Sequence, residues 1–228
     1  MAIQVRNSAE FKRLVEALVL ELVDANIAFK MHTNLIEAHV QDGTRAMQES
    51  WTFWSLTIQG HLDSAIFRLC RIYDQKPRNL GLPGFLNTIK CNRHLFSEAE
   101  FAERLQGRDH AQTLIENFEP LNAPQLEADI AYVTRDRNPT VDRLIDIRHN
   151  YYSHRNARDV VADVAIAEAY PHMRDEVGEL LANGLAIVNR YSLFFDANSY
   201  PGQIIGQSDY HYVLRAVQER IDRQRRER

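Results

Sequence analysis

Apolar positions along this chain recur every three or four residues, the period of an α-helix with one buried face. Between Ser8 and about Gln41, the residues Phe11, Leu14, Leu18, Leu22, Ala25 and Phe29 mark one long amphipathic helix. Ser8 is its N-cap and Asp42-Gly43 its stop signal. A second helix is predicted from about Thr44 to Tyr73, with Trp51, Trp54, Ile58, Leu62, Ala65, Leu69 and Ile72 on one face. That spacing makes both tryptophans core anchors rather than a base-stacking platform. Lys76-Pro77-Arg78-Asn79 ends the helix, and Pro83 opens a shorter one through about Leu95. Ser97 caps the next. The stretch from Gly107 to Pro124 is weakly patterned, with a short helix expected from about Asp109 to Asn117.

Pro124 to about Thr134 reads as helix, and Pro139 starts another. Tyr170-Pro171 begins a long helix to about Phe195, whose apolar face is expected to hold Val177, Leu181, Leu185, Val188 and Leu193. A Pro/Gly-containing connection, 198–207, leads to a last helix from about Ser208. The best strand candidate is Val160 to Ala167, but its alanines and flanking charges argue against it. The pattern therefore predicts an all-α protein.

Composition fits that picture. The 228 residues are 45% hydrophobic and 25% charged, enough to bury a core in one large domain with a helical appendage. The boundaries expected are 1–200 for the bundle and 201–228 for a connector and C-terminal helix with a basic, partly disordered end. No stretch approaches the ~20 apolar residues that span a bilayer. The N-terminus lacks the order of a signal peptide, so a cytoplasmic location without a membrane partner is expected. A net charge of -4 is unlike a protein that coats long duplex DNA, so nucleic-acid contact, if any, is local. Cys70 and Cys91 are expected to be buried thiols. No CxxC, HExxH, P-loop or GxGxxG pattern occurs, and His32 and His39 lack an acidic companion. No cofactor or metal is therefore expected.

The densest polar cluster is Asp146-Ile147-Arg148-His149-Asn150-Tyr151-Tyr152-Ser153-His154-Arg155, late in the helix that Pro139 starts. On an α-helix, at ~100° and ~1.5 Å per residue, Arg148 and His154 stand about 120° and about 9 Å apart. Asn150 and His154 share one face, and Arg148 and Tyr152 the neighbouring one. A compact site holding both Arg148 and His154 needs a second element opposite them. A two-fold related copy would supply it, which makes a homodimer the expected assembly.

The spacing Arg148-x5-His154, with a polar residue after the arginine, resembles the Rx4-6H signature of the HEPN superfamily. The segments His61-Leu62-Asp63-Ser64-Ala65-Ile66-Phe67-Arg68-Leu69-Cys70-Arg71-Ile72-Tyr73-Asp74 and Leu80-Gly81-Leu82-Pro83, followed by Asp146 to His154, resemble its AbiU-type (abortive infection U) branch. The likeness runs from about residue 10 to about residue 195. It implies an up-and-down bundle of long amphipathic helices, often dimeric. Active members of the superfamily are metal-independent endoribonucleases in toxin–antitoxin, phage-defence and CRISPR-linked systems. A toxin reading brings with it an antitoxin protein as partner. Arg148 and His154 match the signature positions. His149 takes the slot that is commonly asparagine or aspartate. Asn156 stands where some superfamily toxins carry a tyrosine modification site, so control by nucleotidylation there is not supported.

The chemistry of the residue types agrees. Cleaving RNA without a metal needs a base for the 2'-hydroxyl proton and an acid for the leaving oxygen, and imidazole serves either role near neutral pH. A guanidinium meets the phosphoryl oxygens with a two-donor fork. Arg148 and His154 are thus the candidate catalytic residues, with His149 and Asn150 in support. Tyr151, Tyr152 and Arg155 are candidates for RNA contact. The competing reading is a non-catalytic helical interaction or regulatory module. There His154 ends its helix, Arg148 pairs with Asp146, Asp142 or another acid, and the tyrosines pack. Arg68, Arg71 and Asp74 at the end of the second helix are read as structural, since Arg71 and Asp74 can pair at i and i+3; the alternative is that Arg71 lines the site beside Arg148.

Overall fold

The computed structural model describes residues 2–42, 45–153, 161, 173–202 and 208–227. Among them all regular structure is helical and no strand occurs, so the fold is all-α as the periodicity predicts. The helices are α1 (Ser8–Asp42), α2 (Arg45–Glu49), α3 (Trp51–Ile72), α4 (Leu82–Cys91), α5 (Glu98–Leu105), α6 (Ala111–Glu116), α7 (Ala123–Val133), α8 (Pro139–Ile147), α9 (Met173–Asp196) and α10 (Tyr210–Arg226). A π-helical turn, Arg148–Ser153, follows α8. The strand candidate at 160–167 lies, apart from Val161, outside the described residues.

Two punctuation signals act where the sequence places them, but the cap of α1 is Asn7 rather than Ser8: Asn7 Oδ1 accepts the Glu10 N–H at 2.9 Å, while the Ser8 hydroxyl donates to Glu100 at 3.0 Å. Ser97 accepts the Glu100 N–H at 3.4 Å and starts α5, and Pro83 sits in the first turn of α4. The expected second helix, however, is two. Ser50 interrupts it, leaving α2 and α3, and both tryptophans fall in the first turn of α3. Trp54 is buried at 5% exposure, but Trp51 is 48% exposed and rests on His39. Leu193, placed on the core face of α9, is exposed as well; that face is Val177, Leu181, Gly184, Val188, Tyr191 and Phe195. Cys70 is buried but Cys91 is exposed at the end of α4. The arginine-rich end is helical through Arg226, with its last-turn arginines exposed.

The chain divides into two compact units, 1–22 with 67–200 and 23–66 with 201–228. The first is built on an aromatic centre. Phe11 packs against Phe85, Phe96 and Phe195 with ring centroids 5.5, 5.4 and 4.8 Å away. Such pairs add about 0.5–1.5 kcal/mol each beyond the area they bury. Asp129, buried on α7, accepts the Tyr191 hydroxyl at 2.7 Å and the Gln125 amide at 3.0 Å, and pairs with Arg190. In the second unit, Leu35, Ala38, Ala46, Met47, Trp54 and Leu214 form the core. His32 is buried there, its Nδ1 3.0 Å from the Ile58 carbonyl.

Candidate functional site: the π turn after α8

The helix that leads to the site is set by its first residue pair. The Asn138 side chain accepts the Thr140 N–H at 2.9 Å, while its amide donates to the Tyr132 carbonyl at 2.8 Å, fixing the α7–α8 corner. Pro139 supplies the pre-set first turn. Val141, Leu144, Ile145 and Ile147 are buried, and Arg143 on the outer face pairs with Glu176 of α9.

Beyond Ile147 the helix does not continue with α geometry. Arg148 to Ser153 form a π turn, in which hydrogen bonds run from i to i+5. Each turn holds more residues than in an α-helix, yet i and i+4 positions such as Arg148 and Tyr152 still fall on one side of it. Such π turns inside helices occur frequently at functional sites.

Arg148 opens that turn with about a third of its side chain exposed, its guanidinium Nη1 3.9 Å from Asp74 Oδ2. The local acids are not its partners. Arg135 holds both, with its Nε 2.5 Å from Asp142 and Nη2 2.8 Å from Asp146. The Asp142 hydrogen bond first, and the negative charges of Asp142 and Asp146 after it, push the Arg135 guanidinium above its ordinary pKa. The pairing of Arg71 with Asp74 is likewise not found: Arg71 and Arg68 both engage Glu21 of α1. The facing element beside Arg148 is therefore the end of α3 in the same chain.

His149 and Asn150 are exposed on the π turn beside Arg148. Tyr152 is half-buried, its ring edge-on to Phe67 of α3 at 4.8 Å. That contact fits the packing reading of this tyrosine better than a free stacking platform. His154 and Arg155 lie outside the described residues, as does the Tyr151 side chain.

The end of α3 uses almost every group it has. Leu69 and Ile72 are buried, and the buried Tyr73 hydroxyl donates to the Leu180 carbonyl of α9 at 2.8 Å. Burial keeps that phenol well above its ordinary pKa. Cys70, packed under Leu144, has its thiol pushed up to about 12 by burial and, less, by Asp74, while Arg148 pulls it down. Gln75 donates to the carbonyls of Tyr73 and Val133 at 2.8 and 3.0 Å and accepts the Arg135 N–H at 3.2 Å. One glutamine thus joins the end of α3 to the segment that leads into α8.

Asp74 was legible in the sequence as part of the helix-end segment, but its partner was not. It is the residue that sequence reasoning missed at this site. The signal was there in kind: an acid closing an apolar helix, a turn later followed by Asn79 and Gly81. No group of three or more His, Cys, Asp or Glu side chains among the described residues is placed to hold a metal. No described helix is long and apolar enough to cross a membrane.

Compared with known proteins, the chain matches the HEPN family model described as AbiU2 over residues 8–215. No curated protein matches it, and no solved structure does. The match takes in α1 to α9, the helix-end segment with Asp74 and the π turn with Arg148. With nine-tenths of its length under that model, this chain belongs to the AbiU2 family of HEPN proteins.

Proposed function

We propose that this protein is a metal-independent endoribonuclease of HEPN type, acting in phage defence or as a toxin. Arg148 holds the scissile phosphate and His154 transfers a proton. A 2'-hydroxyl attacks the adjacent phosphorus after losing its proton to a base, and the P–O5' bond breaks. The departing 5'-oxygen takes a proton from an acid. Charge gathers on the non-bridging oxygens, which is where a preorganised guanidinium does most for the rate. The second imidazole that a base–acid pair requires comes from His154 of a two-fold related copy, so the working form is a homodimer.

The observation that carries this reading is the placement of Arg148. In a HEPN family member it opens a π turn, partly exposed, with its own helix's carboxylates already held by Arg135. A guanidinium neutralised by Asp142 and Asp146 would have little left for a phosphate. The test is cleavage of a single-stranded RNA by wild type, Arg148→Ala and His154→Ala, with a chelator control. Loss of cleavage in both variants and indifference to the chelator are expected. Equal rates in all three proteins would end the proposal and leave the helical interaction module. A mass measurement in solution that gave a strict monomer would remove the shared site. Toxicity on expression, relieved by His154→Ala, would support the toxin form and an antitoxin partner.

A further inference from the structure

We infer that Asp74 is the positioning residue for Arg148, holding the guanidinium in the orientation from which it meets a phosphate; this rests on the ribonuclease reading above. The geometry has three parts. Asp74 is buried at the end of α3, and its carboxylate is itself held, Oδ1 by the Lys76 N–H at 3.0 Å and Oδ2 by the Asn79 amide at 2.7 Å. It cannot swing to solvent without giving up both. The turn that carries it is clamped to the helix, because Gly81 lies against the carbonyls of Arg71 and Ile72. Finally, the Arg148 Nη1 to Asp74 Oδ2 distance of 3.9 Å is an ion pair rather than a close hydrogen bond. The carboxylate therefore steers the guanidinium electrostatically without consuming its fork.

The alternatives for Asp74 are weaker. A carboxylate present only to cap α3 would sit at a helix C-terminus, where the macrodipole disfavours a negative charge. The Lys76 N–H and the Asn79 amide account for its turn, and a nearby cation offsets the charge that the helix end disfavours. Among the described residues that cation is Arg148, since Arg71 and Arg68 are drawn to Glu21. A displacement of about 1 Å at a reacting centre costs up to about 10²-fold. Releasing one corner of the guanidinium should cost on the order of tenfold.

The experiment compares wild type, Asp74→Asn, Asn79→Ala, Arg148→Ala and the double variant Asp74→Asn with Arg148→Ala. Kinetics on a single-stranded RNA and thermal melting are measured for each. Asp74→Asn is expected to lower kcat about tenfold with KM little changed, and Asn79→Ala to lower it several-fold. The double variant should be no slower than Arg148→Ala alone, because residues that act through one another are not additive. A wild-type kcat in Asp74→Asn would overturn the inference. So would an equal further loss when Asp74→Asn is added to Arg148→Ala. Should the wild type cleave no RNA, the ribonuclease reading falls and the melting data decide this one. A double variant that melts with the worse single variant supports the pairing, and fully additive losses refute it.

Discussion

Replacing Gly81 by alanine separates two roles that glycine can play. The backbone there is extended, with φ at -159°, a conformation open to any residue. Conformational freedom is not why glycine stands at this position. A Cβ would instead lie 2.9 Å from the carbonyl oxygens of both Arg71 and Ile72, and 3.4 Å from that of Asp74. All three are backbone atoms at a helix end tied down by Tyr73 and Gln75, so they cannot yield cheaply. Overpacking costs about 1–3 kcal/mol, and this case belongs in the upper half of that range. Alanine stiffens the unfolded chain and returns about 0.4–1 kcal/mol. The net loss is about 1–2.6 kcal/mol, or about 2–10 °C in melting temperature for a chain of this size. The control is Gly60→Ala in the body of α3, where an added Cβ meets nothing within 4 Å. It should gain about 0.5–1 kcal/mol. Melting followed by far-UV circular dichroism reads both. Because the displaced carbonyls precede Asp74, Gly81→Ala should also slow RNA cleavage. A Gly81→Ala protein that melts at or above the wild type would refute the close-approach argument.

Three further outcomes are expected. In the folded protein a thiol reagent should titrate Cys91 alone, and Cys70, buried with its thiol near 12, should join only after unfolding; two fast thiols would contradict the packing under Leu144. Asp129→Ala strands the Arg190 guanidinium and the Tyr191 hydroxyl, and urea unfolding should show a loss of about 2–3 kcal/mol, less than a fully buried pair because Arg190 is one-third exposed. Burial lowers the pKa of His61, so the unfolded chain takes up its proton first. Its contribution to stability is present above about pH 6.5 and declines as the pH falls through the lower folded value. Melting of His61→Gln over that range should show a shallower acid-side decline, and an unchanged slope would count against the assignment.

Periodicity and punctuation carried the helical class, the span of α1 and the starts of α4, α5 and α8, because these depend on residues within a turn or two of each other. Ser97, Pro83 and Pro139 act locally, and their local environment is complete in the sequence. The break at Ser50 was hidden because the residues on either side keep the same apolar spacing. Of the two tryptophans in the first turn of α3, the buried one is that which meets Leu35, Ala46, Met47 and Leu214, a contact set only by the fold. The Arg-x5-His pattern and the helix-end segment were both readable, and they pointed to the family that the whole-chain match shows. Their relation was not. Arg148 has two carboxylates on the helix before it and one just past the end of α3, and composition cannot choose between them. Packing chooses, by bringing Arg135 across Asp142 and Asp146 and placing Asp74 beside the π turn. The π turn itself is also a tertiary outcome, since nothing in six residues separates i to i+5 from i to i+4 bonding. Local chemistry fixes where a helix can start and the period of its apolar positions, not every residue that ends up buried. Only the folded chain sets distances between charges far apart in sequence, and charge pairing depends on distance.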